Sequence, residues 1–419
     1  MKKKDKLSFV TLWRLNDWGK YNRRDEALLS ELARRQEVEQ VLHVEHIGFR
    51  GLLYNTLAWI KEKDEAVKKV YKWHTLKGWS PRPIPVGEKG KYSIYSVVIS
   101  YGGANVLLKK ISDSLVRMQY RAINRYVGCK NSKVILTIYL PSGNLKKAIP
   151  AIKHDLLIAD FEDDTAERAL DSARREWILG NYREYLPRCK WIYSNTSSMN
   201  SKYKGCAGQE IALVPNAVDP QMFLRNGNKT AFAAKGRKVV GYVGILNREI
   251  DMDLVRHIID CFPDVDFVFI GAVSEDRSGD MRELAENFAN VHCLGERCYA
   301  DVPAYLRACD VLINIKKNDR TTAGGESQKI YEYLITGKPI VSTPVPPADR
   351  FADLMYVASD KARFAEGLTL ALEEDDAALR KSRVRTAMEN SWEQRADVIL
   401  DKASELLGMK GRFYSESGQ

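Results

Sequence analysis

The sequence predicts an α/β protein made of two doubly wound domains, in which parallel strands alternate with helices. The chain has 419 residues, more than one ordinary hydrophobic core accommodates, and this length fits two domains of about 200 residues each. Short apolar runs alternate with helical segments along both halves of the chain. Between the halves, the polar and basic stretch Leu224–Arg237 predicts a linker.

The composition excludes membrane-spanning and disulfide-rich classes of protein. Hydrophobic residues make up 45% and charged residues 29% of the chain, as in ordinary globular proteins. No apolar run approaches the ~20 residues that span a bilayer, and the start MKKKDKLSFVTLW lacks the features of a secretory signal. Seven cysteines without metal-ligand spacing predict reduced thiols in a cytoplasm. The net charge of +10 favours anionic partners, whether nucleotide, nucleic acid or acidic lipid.

In the first half, apolar runs predict strands and the segments between them predict helices. Strands are expected at Leu7–Trp13, Val38–His46, Tyr95–Ser100, Lys133–Leu140 and Leu156–Ala159, and helices at Asp25–Arg35, Val106–Tyr126 and Ala166–Leu179. Ligands bind at the carboxyl ends of the strands in such sheets, so polar residues there are site candidates. Asp17, after the first strand, is one candidate, although an aspartate there also suits a turn or a helix cap.

The densest acidic cluster, DFEDD at residues 160–164, follows the strand expected at Leu156–Ala159. Crowded carboxylates raise one another's pKa, as a general acid or base requires. The same residues would equally cap the helix expected at Ala166–Leu179, for which Asp163 and Asp164 are suitably placed.

Tryptophans and lysines alternate in an unusual way between residues 52 and 91. Together they suit a lipid headgroup interface, where Trp73 and Trp79 would lie at the acyl boundary and Lys72 and Lys77 at the phosphates. The alternative is a solvated helix followed by a proline-rich loop, with the tryptophans folded inward.

In the second half, strands are expected at Val239–Val243, Val265–Gly271, Val291–Leu294, Asp310–Ile315 and Pro339–Thr343, and a closing helix from near Trp392. The stretch Gly324–Pro346 carries the strongest chemical signal. It predicts a glycine-bearing loop, a helix at about Ser327–Thr336, a left-handed turn at Gly337 and a buried strand.

This stretch combines features that suit an anionic ligand. Gly324 and Gly325 lack a Cβ, so their backbone N–H groups can approach an anion closely. The positive end of the following helix points to the same place, where Ser327 and Lys329 would add a hydroxyl and a cation for a diphosphate.

Glu332 is a carboxylate among apolar and aromatic neighbours. An unpaired carboxylate is costly to bury, but the two vicinal hydroxyls of a ribose would be suitable donors to it. Alternatively, the whole stretch is an ordinary part of a doubly wound domain, and Glu332 faces water.

The run YEYLITGKPIVSTPVP, at Tyr331–Pro346, closely resembles the nucleotide-sugar site of GT-B glycosyltransferases. The resemblance is to bacterial exopolysaccharide and teichuronic-acid enzymes related to glycosyltransferase family 4, and ALVPNAVDPQMF resembles the segment that closes their first domain. It implies two Rossmann-like domains facing each other across a cleft, with the donor on the second domain and its ribose on Glu332. The family's usual second glutamate, eight positions earlier, is replaced by Gly324.

The resemblance also implies weaker site assignments. The loop after Val243 would bind the donor diphosphate through Gly244, and Arg248 is a candidate substitute for the family's usual Arg and Lys, which are absent there. Glu296 and Arg297 would lie against the nucleotide base. Relatives place acidic residues such as those of the DFEDD cluster near acceptor and donor sugar. This favours Asp163 as the catalytic residue, with Asp17 as the second candidate.

The sequence thus predicts a glycosyltransferase that moves a sugar from a nucleoside-diphosphate sugar to a glycan or lipid-linked glycan in bacterial surface polysaccharide synthesis. The nucleotide is most commonly UDP in this family.

The predicted domains are residues 1–225 and 236–391, followed by a helix at 392–419 that crosses back to the first domain. No DxD-type metal motif stands at a fitting strand end, so no metal and no cofactor besides the donor are expected. The enzyme is expected in the cytoplasm, peripheral at an anionic membrane and without nucleic-acid partners. A nucleotide-sugar epimerase of the same fold and a non-catalytic GT-B scaffold are the alternatives.

Overall fold

A computed structural model of the protein describes residues 6–13, 24–61, 65–86, 90–99, 106–128, 132–143, 145–225 and 236–409. The chain divides into two compact units. The first comprises the chain up to Ser194, Asn200–Leu213 and the chain from Ala396 onwards; the second comprises Asn195–Met199 and Val214–Arg395. Asp17 and most of the predicted linker lie outside the described residues. Among the described residues, no helix has the length and apolar character needed to cross a membrane.

The first unit contains an eight-stranded sheet in the order β3-β4-β2-β1-β5-β6-β7-β8. Its strands are β1 Lys6–Leu12, β2 Val38–Gly48, β3 Ile84–Val86, β4 Tyr92–Ile99, β5 Ser132–Tyr139, β6 Leu156–Phe161, β7 Trp191–Ser194 and β8 Ala212–Leu213. All neighbours pair in parallel except β3, which runs antiparallel to β4. The central strands are almost continuously apolar because both faces of a parallel sheet are covered.

The second unit contains a six-stranded, fully parallel sheet in the order β11-β10-β9-β12-β13-β14. Its strands are β9 Lys238–Val243, β10 Val265–Ile270, β11 Val291–Gly295, β12 Val311–Asn314, β13 Ile340–Ser342 and β14 Tyr356–Val357. Along β9, Val240 and Tyr242 enter one hydrophobic cluster, and Val239 and Val243 enter another. Alternate side chains of a strand point to opposite faces, so this sheet has a core on each side.

Helices connect the strands and cover the sheets. Before β9 they are α1 Arg24–Arg34, α2 Phe49–Lys61, α3 Glu65–Trp79, α4 Val106–Gly128, α5 Leu145–Ala151, α6 Ser172–Tyr185, α7 Ser197–Ala207 and α8 Pro220–Leu224. After β9 they are α9 Met252–Cys261, α10 Ser278–Asn287, α11 Val302–Ala308, α12 Arg320–Ala323, α13 Lys329–Leu334, α14 Lys361–Glu373, α15 Ala377–Met388 and α16 Trp392–Leu406. Both sheets with their helices confirm the predicted α/β, doubly wound fold class.

The helix predicted at Ala166–Leu179 begins later than expected. In the structure α6 starts at Ser172, and Asp171 is its N-cap, accepting a hydrogen bond from the Arg174 amide at 2.7 Å. Asp163 adopts a left-handed φ of 56°, which turns the chain away from a helical path directly after β6. Asp163 therefore does not cap this helix.

A buried ion pair fixes α3 to the sheet of the first unit. Lys77 on α3 pairs with Glu45 on β2, and both side chains are fully buried. His43, also buried, contacts Thr11 Oγ1 through Nδ1 at 3.1 Å. Burial, reinforced by the Lys77 charge, lowers the pKa of His43 to about 3, so this imidazole is neutral. Lys77 is thus not available to lipid phosphates, and its expected place at a membrane surface was wrong.

Replacing Lys77 by Met should lower the free energy of unfolding by about 3–5 kcal/mol, because Glu45 would be buried without its counterion. Urea unfolding followed by circular dichroism measures the change. The double variant Lys77→Met/Glu45→Leu should recover most of the loss, since neither charge then remains in the interior.

The matched control is Lys402→Met, which removes one partner of the surface pair Lys402–Glu405. Its effect should stay below about 1 kcal/mol. A Lys77→Met protein as stable as the parent would contradict the structural importance of the buried pair.

Candidate functional site

The candidate site lies at the carboxyl edge of the second unit's sheet, where β9 and β12 are neighbours. From β9 the chain proceeds outward to β10 and β11 on one side, and β12 to β14 lie on the other side. Parallel sheets bind ligands at such a switch point, because the connections on the two sides lead away from it in opposite directions. Gly244 directly follows β9, and Lys316 lies just beyond β12.

Gly244 allows a lysine side chain to lie against the backbone at this edge. Its φ is +145°, a value that residues with a Cβ rarely adopt. A Cβ built on Gly244 would lie 2.7 Å from Lys329 Nζ and 3.0 Å from Lys329 Cε. The absence of a side chain at Gly244 therefore makes room for the Lys329 amine.

Lys329, the first residue of α13, points its amine at Tyr242. Nζ donates a hydrogen bond to the Tyr242 hydroxyl at 2.7 Å and lies 4.1 Å from the centre of the ring. The Tyr242 hydroxyl in turn donates to the Ile245 carbonyl at 3.1 Å. Among the described residues Lys329 forms no ion pair, and the carboxylate of Glu249 pairs with Lys316 at 2.9 Å.

The environment of Lys329 disfavours its charge. Burial, with repulsion from Lys316, lowers the pKa of Lys329 well below its usual range, although Glu332 and Glu249 act in the opposite direction. A buried cation without a carboxylate partner is costly unless an anion accompanies it. An anion bound close to Lys329 would therefore favour the charged form of the amine.

Glu332 lies on α13, three residues after Lys329, and is only 6% exposed. Its Oε1 accepts hydrogen bonds from the Tyr299 hydroxyl at 2.7 Å and from Gln328 Nε2 at 3.0 Å. Burial raises the pKa of Glu332, while the bonds from Tyr299 and Gln328 act in the opposite direction. Its other oxygen, Oε2, has no hydrogen-bond partner among the described residues and keeps its capacity to accept.

Ser327 adds an unused hydroxyl near Lys329. Its side chain is buried, and within the described part of the chain its Oγ has no hydrogen-bond partner. Its backbone N–H donates to the Pro346 carbonyl at 2.9 Å, which fixes the loop ahead of α13. The sequence had predicted a helix that starts at about Ser327. In the structure the helix starts at Lys329.

The glycines Gly324 and Gly325 are buried in the same loop. Gly324 is the C-cap of α12, and its N–H donates to the Thr322 carbonyl. The Gly325 N–H donates to the same carbonyl at 3.3 Å. In this structure both amides close a turn at the end of α12.

Glu326 holds the loop to its surroundings. Its carboxylate pairs with Arg350 and accepts hydrogen bonds from the Asn216 amide and, at 2.9 Å, from the Tyr331 hydroxyl. Asn216 Nδ2 also donates to the Glu326 carbonyl at 3.0 Å. With three partners, this carboxylate has a structural role in the loop.

The remaining donor-side candidates lie at exposed positions on neighbouring loops. Arg248 is exposed, and its carbonyl accepts a hydrogen bond from Arg277 Nη2 at 3.4 Å. Glu296 and Arg297 are exposed after β11, with Arg297 Nε donating to the Tyr305 hydroxyl at 3.1 Å. These three side chains are exposed, whereas Gly244 and Lys329 are in direct contact and Glu332 is buried.

In the first unit, Asp163 occupies the carboxyl end of β6 in a left-handed conformation that is uncommon for residues other than glycine. Its Oδ2 accepts from Arg168 Nη1 at 2.7 Å. The adjacent Asp164 is buried and receives bonds from Lys202 Nζ at 2.7 Å and the Tyr203 hydroxyl at 2.8 Å. Asp164 therefore holds this loop in place, and Asp163 is the more accessible carboxylate of the two.

Sequence reasoning missed Tyr242, Tyr299 and Gln328. Gln328 precedes Glu332 by four residues, and this helical spacing was a usable signal. Tyr242 was recognised only as part of an apolar strand, and the bond from Tyr299 depends on how the loop after β11 folds back.

Comparison with known proteins adds a family relationship to this geometry. Residues 237–374, which include β9 to β14 and α13, match the family model described as Glycosyl transferases group 1. The TuaH protein of Bacillus subtilis (strain 168), named as a teichuronic acid biosynthesis glycosyltransferase, is 27% identical over 189 residues. The match covers 43% of this chain and 47% of TuaH, so it spans about half of that relative.

Solved structures share the fold over nearly the whole chain. Anabaena Alr3699/HepE, solved in complex with UDP, has a TM-score of 0.61 and 15% identity over 96% of this chain and all 100% of its own. Sucrose-phosphate synthase of Thermosynechococcus elongatus has a TM-score of 0.66 and 12% identity, with 96% and 100% covered. WaaG, a glycosyltransferase of lipopolysaccharide biosynthesis, has a TM-score of 0.55 and 11% identity, with 96% and 99% covered.

These identities are low enough that the structural likeness establishes the fold alone. The sequence matches and the shared fold together confirm the relationship inferred from Tyr331–Pro346. The chain therefore carries a group 1 glycosyl transferase domain within a protein of the GT-B glycosyltransferase fold.

Proposed function

We propose that this protein transfers a sugar from a nucleoside-diphosphate sugar, with UDP as the nucleotide, to a hydroxyl of a glycan or lipid-linked glycan in bacterial surface polysaccharide synthesis. One observation carries the proposal. A half-buried amine without a carboxylate partner and a buried carboxylate with one unused oxygen, Lys329 and Glu332, lie three residues apart near the sheet's switch point. Relatives support the choice of nucleotide, because HepE was solved with UDP and with UDP-glucose.

Glu332 is suited to bind the ribose. Its Oε1 is fixed by Tyr299 and Gln328, so the carboxylate is oriented before a ligand arrives. The unused Oε2 would accept the hydroxyl protons of a ribose, which is the donor chemistry that a carboxylate needs. Hydrogen bonds to a charged acceptor are about twice as strong as neutral ones.

Lys329 is suited to stabilise the diphosphate as the bond to the sugar breaks. Negative charge develops on the leaving phosphate oxygen, and a fixed cation in a dry site stabilises it more than in water. The Ser327 hydroxyl would donate a hydrogen bond to the same group. Gly244 permits the close approach, and we propose Arg248, exposed in the loop after Gly244, as a second cation.

We propose that the reaction requires no metal ion, because Lys329 supplies positive charge where a divalent cation would otherwise act. In the acceptor half of the reaction, we propose that Asp163 takes the proton from the acceptor hydroxyl, with Asp17 as the second candidate. Asp163 is supported by its position after β6 and by a backbone conformation that the surrounding fold must maintain.

We further propose that the protein works in the cytoplasm and binds an anionic membrane through α2 and α3. An exposed apolar row on α2 has helical spacing and comprises Phe49, Leu53, Leu57 and Ile60. Leu57 is 54% and Ile60 70% exposed. Helix α2 has no acidic residue, and exposed Arg50, Lys61 and Lys72 would face lipid phosphates. The described cysteines are free, in keeping with a reducing compartment.

Glu332→Gln should weaken UDP binding by about 1.5–3 kcal/mol, the value of a hydrogen bond to a charged group, with folding unchanged. The glutamine keeps the shape and an oxygen for Tyr299 and Gln328 to bond. Titration calorimetry with UDP, GDP and dTDP measures the affinities, and UDP should bind most tightly to the parent protein.

The control for this substitution is Glu286→Gln, at an exposed glutamate of α10. This variant should bind UDP as the parent does. Unchanged UDP affinity in Glu332→Gln would reject the ribose assignment, and failure of the parent to bind any nucleotide would reject the proposed function.

Removal of divalent cations should leave UDP affinity within about twofold of its value in magnesium, because the proposed site relies on Lys329. Calorimetry in EDTA, compared with the same titration in magnesium, measures this ratio. Loss of binding in EDTA would overturn metal independence and leave the nucleotide proposal standing.

Leu57→Glu/Ile60→Glu should reduce binding to phosphatidylglycerol vesicles more than tenfold, since each apolar side chain gains about 1.5–3 kcal/mol when fully buried. Vesicle co-sedimentation at low salt is the measurement, and salt should weaken the parent's binding. Leu370→Glu, at a 49% exposed position on α14, is the matched control. A parent protein that stays in the supernatant at low salt would refute the membrane proposal.

A further inference from the structure

The Lys329 amine is enclosed by groups that hold it without neutralising its charge. Nζ donates to the Tyr242 hydroxyl at 2.7 Å and lies against the Gly244 backbone. The Tyr242 proton is committed to the Ile245 carbonyl at 3.1 Å, so the phenol oxygen acts as an acceptor towards the amine. Burial raises the pKa of Tyr242 above its usual range, which keeps this phenol protonated.

Each charged group that acts on the amine comes from a different element. Lys316, beyond β12, repels it, and Glu249, from the loop after β9, attracts it. Glu249 is engaged with Lys316 at 2.9 Å. Glu332, on α13 itself, also attracts it, but its Oε1 already accepts two hydrogen bonds. Neither carboxylate forms an ion pair with Lys329 in the described structure, so the charge of the amine depends on an added anion.

We propose that Lys329 is an uncharged amine in the empty site and takes up one proton when a nucleoside diphosphate binds, with Tyr242 as the residue that positions the amine in both states. This inference rests on the proposed function and names the regulation of the same site. The proton comes from the buffer: amine, proton and diphosphate combine to give an ammonium–diphosphate pair, and no covalent bond changes.

The sign of the pH dependence follows from this coupling. In the free protein, burial and Lys316 lower the pKa of Lys329, and the bound diphosphate raises it again. Between those two values, binding consumes up to one proton, so affinity falls by up to about tenfold for each unit of rising pH. Below the lower value the amine is charged in both states, and binding takes up no proton there.

Tyr242 both holds the Lys329 amine in position and stabilises its charged form. Its oxygen stabilises an N–H bond of the amine, and its ring face lies 4.1 Å from Nζ, where a cation is favoured. Tyr242→Phe keeps the ring and removes the acceptor. The charged form of Lys329 then loses a hydrogen bond, so diphosphate affinity should fall about fivefold to twentyfold and the pH at which affinity declines should move lower.

The test is calorimetry of UDP binding to the full chain at pH 8, in two buffers with different ionisation enthalpies. The second proton of a phosphoryl group dissociates near pH 6, so the ligand itself contributes little at pH 8. The difference in heat between the buffers gives the number of protons taken up, which should be above zero and at most one in the parent protein.

Lys329→Met should bind UDP at least tenfold more weakly and take up no proton, and it should fold normally because it removes a half-buried amine that has no carboxylate partner. Lys361→Met, at an exposed lysine of α14, is the control and should show the parent's affinity and proton uptake. A Tyr242→Phe protein with unchanged affinity and pH profile would exclude the positioning role.

The outcomes separate this inference from the proposed function. If UDP binds without net proton uptake, or if uptake persists in Lys329→Met, the inference is overturned and the proposed function stands. If the parent protein binds no nucleotide, both fall together.

Discussion

The close contact of the Lys329 side chain with the Gly244 backbone is the constraint on which the second unit's site depends. The parallel sheet brings the ends of β9 and β12 side by side, and a glycine there leaves space for one long side chain. On the same short helix, the Tyr333 hydroxyl accepts a hydrogen bond from the Val243 amide at 3.0 Å. Helix α13 is thus fixed to β9 through two side chains, and Glu332 lies between them in the sequence.

Other charged residues of the protein are held in a different way, by buried ion pairs, and the first unit has two examples. Arg24, at the start of α1, pairs with Asp160 of β6 at 3.1 Å, and both side chains are essentially inaccessible. Glu45 and Lys77 form the second such pair. Charges that are paired inside the protein hold elements in register but have little capacity left for a ligand. The contrast with Lys329, which has no carboxylate partner, distinguishes a structural charge from one that a substrate can use.

The sequence was sufficient for the longer strands and for the order of loop, helix and strand in Gly324–Pro346, because both signals are local. Apolar runs give β-strands wherever both faces of a sheet are covered, and Glu332 and Lys329 belong to one contiguous motif. The start of α6 was wrong because the left-handed turn at Asp163 and the cap at Asp171 compete with helix propensity. The burial of Lys77 and the bond from Tyr299 to Glu332 depend on tertiary contacts between distant segments, which no single-sequence pattern contains.

The division of the chain into units has a consequence for synthesis on the ribosome. Most of the second unit is one uninterrupted stretch, Val214–Arg395, whereas the first unit also requires residues from Ala396 onwards. Within that last part, Asp397 pairs with Arg35 at 2.9 Å, and Ile399 and Leu400 are buried. Domains fold as their residues emerge from the ribosome. The first unit is therefore begun before the second unit but completed after it. Until α16 has left the ribosome, the surface that it covers stays exposed. Premature termination after residue 395 would therefore leave the first unit incomplete, although the second unit would have all its residues.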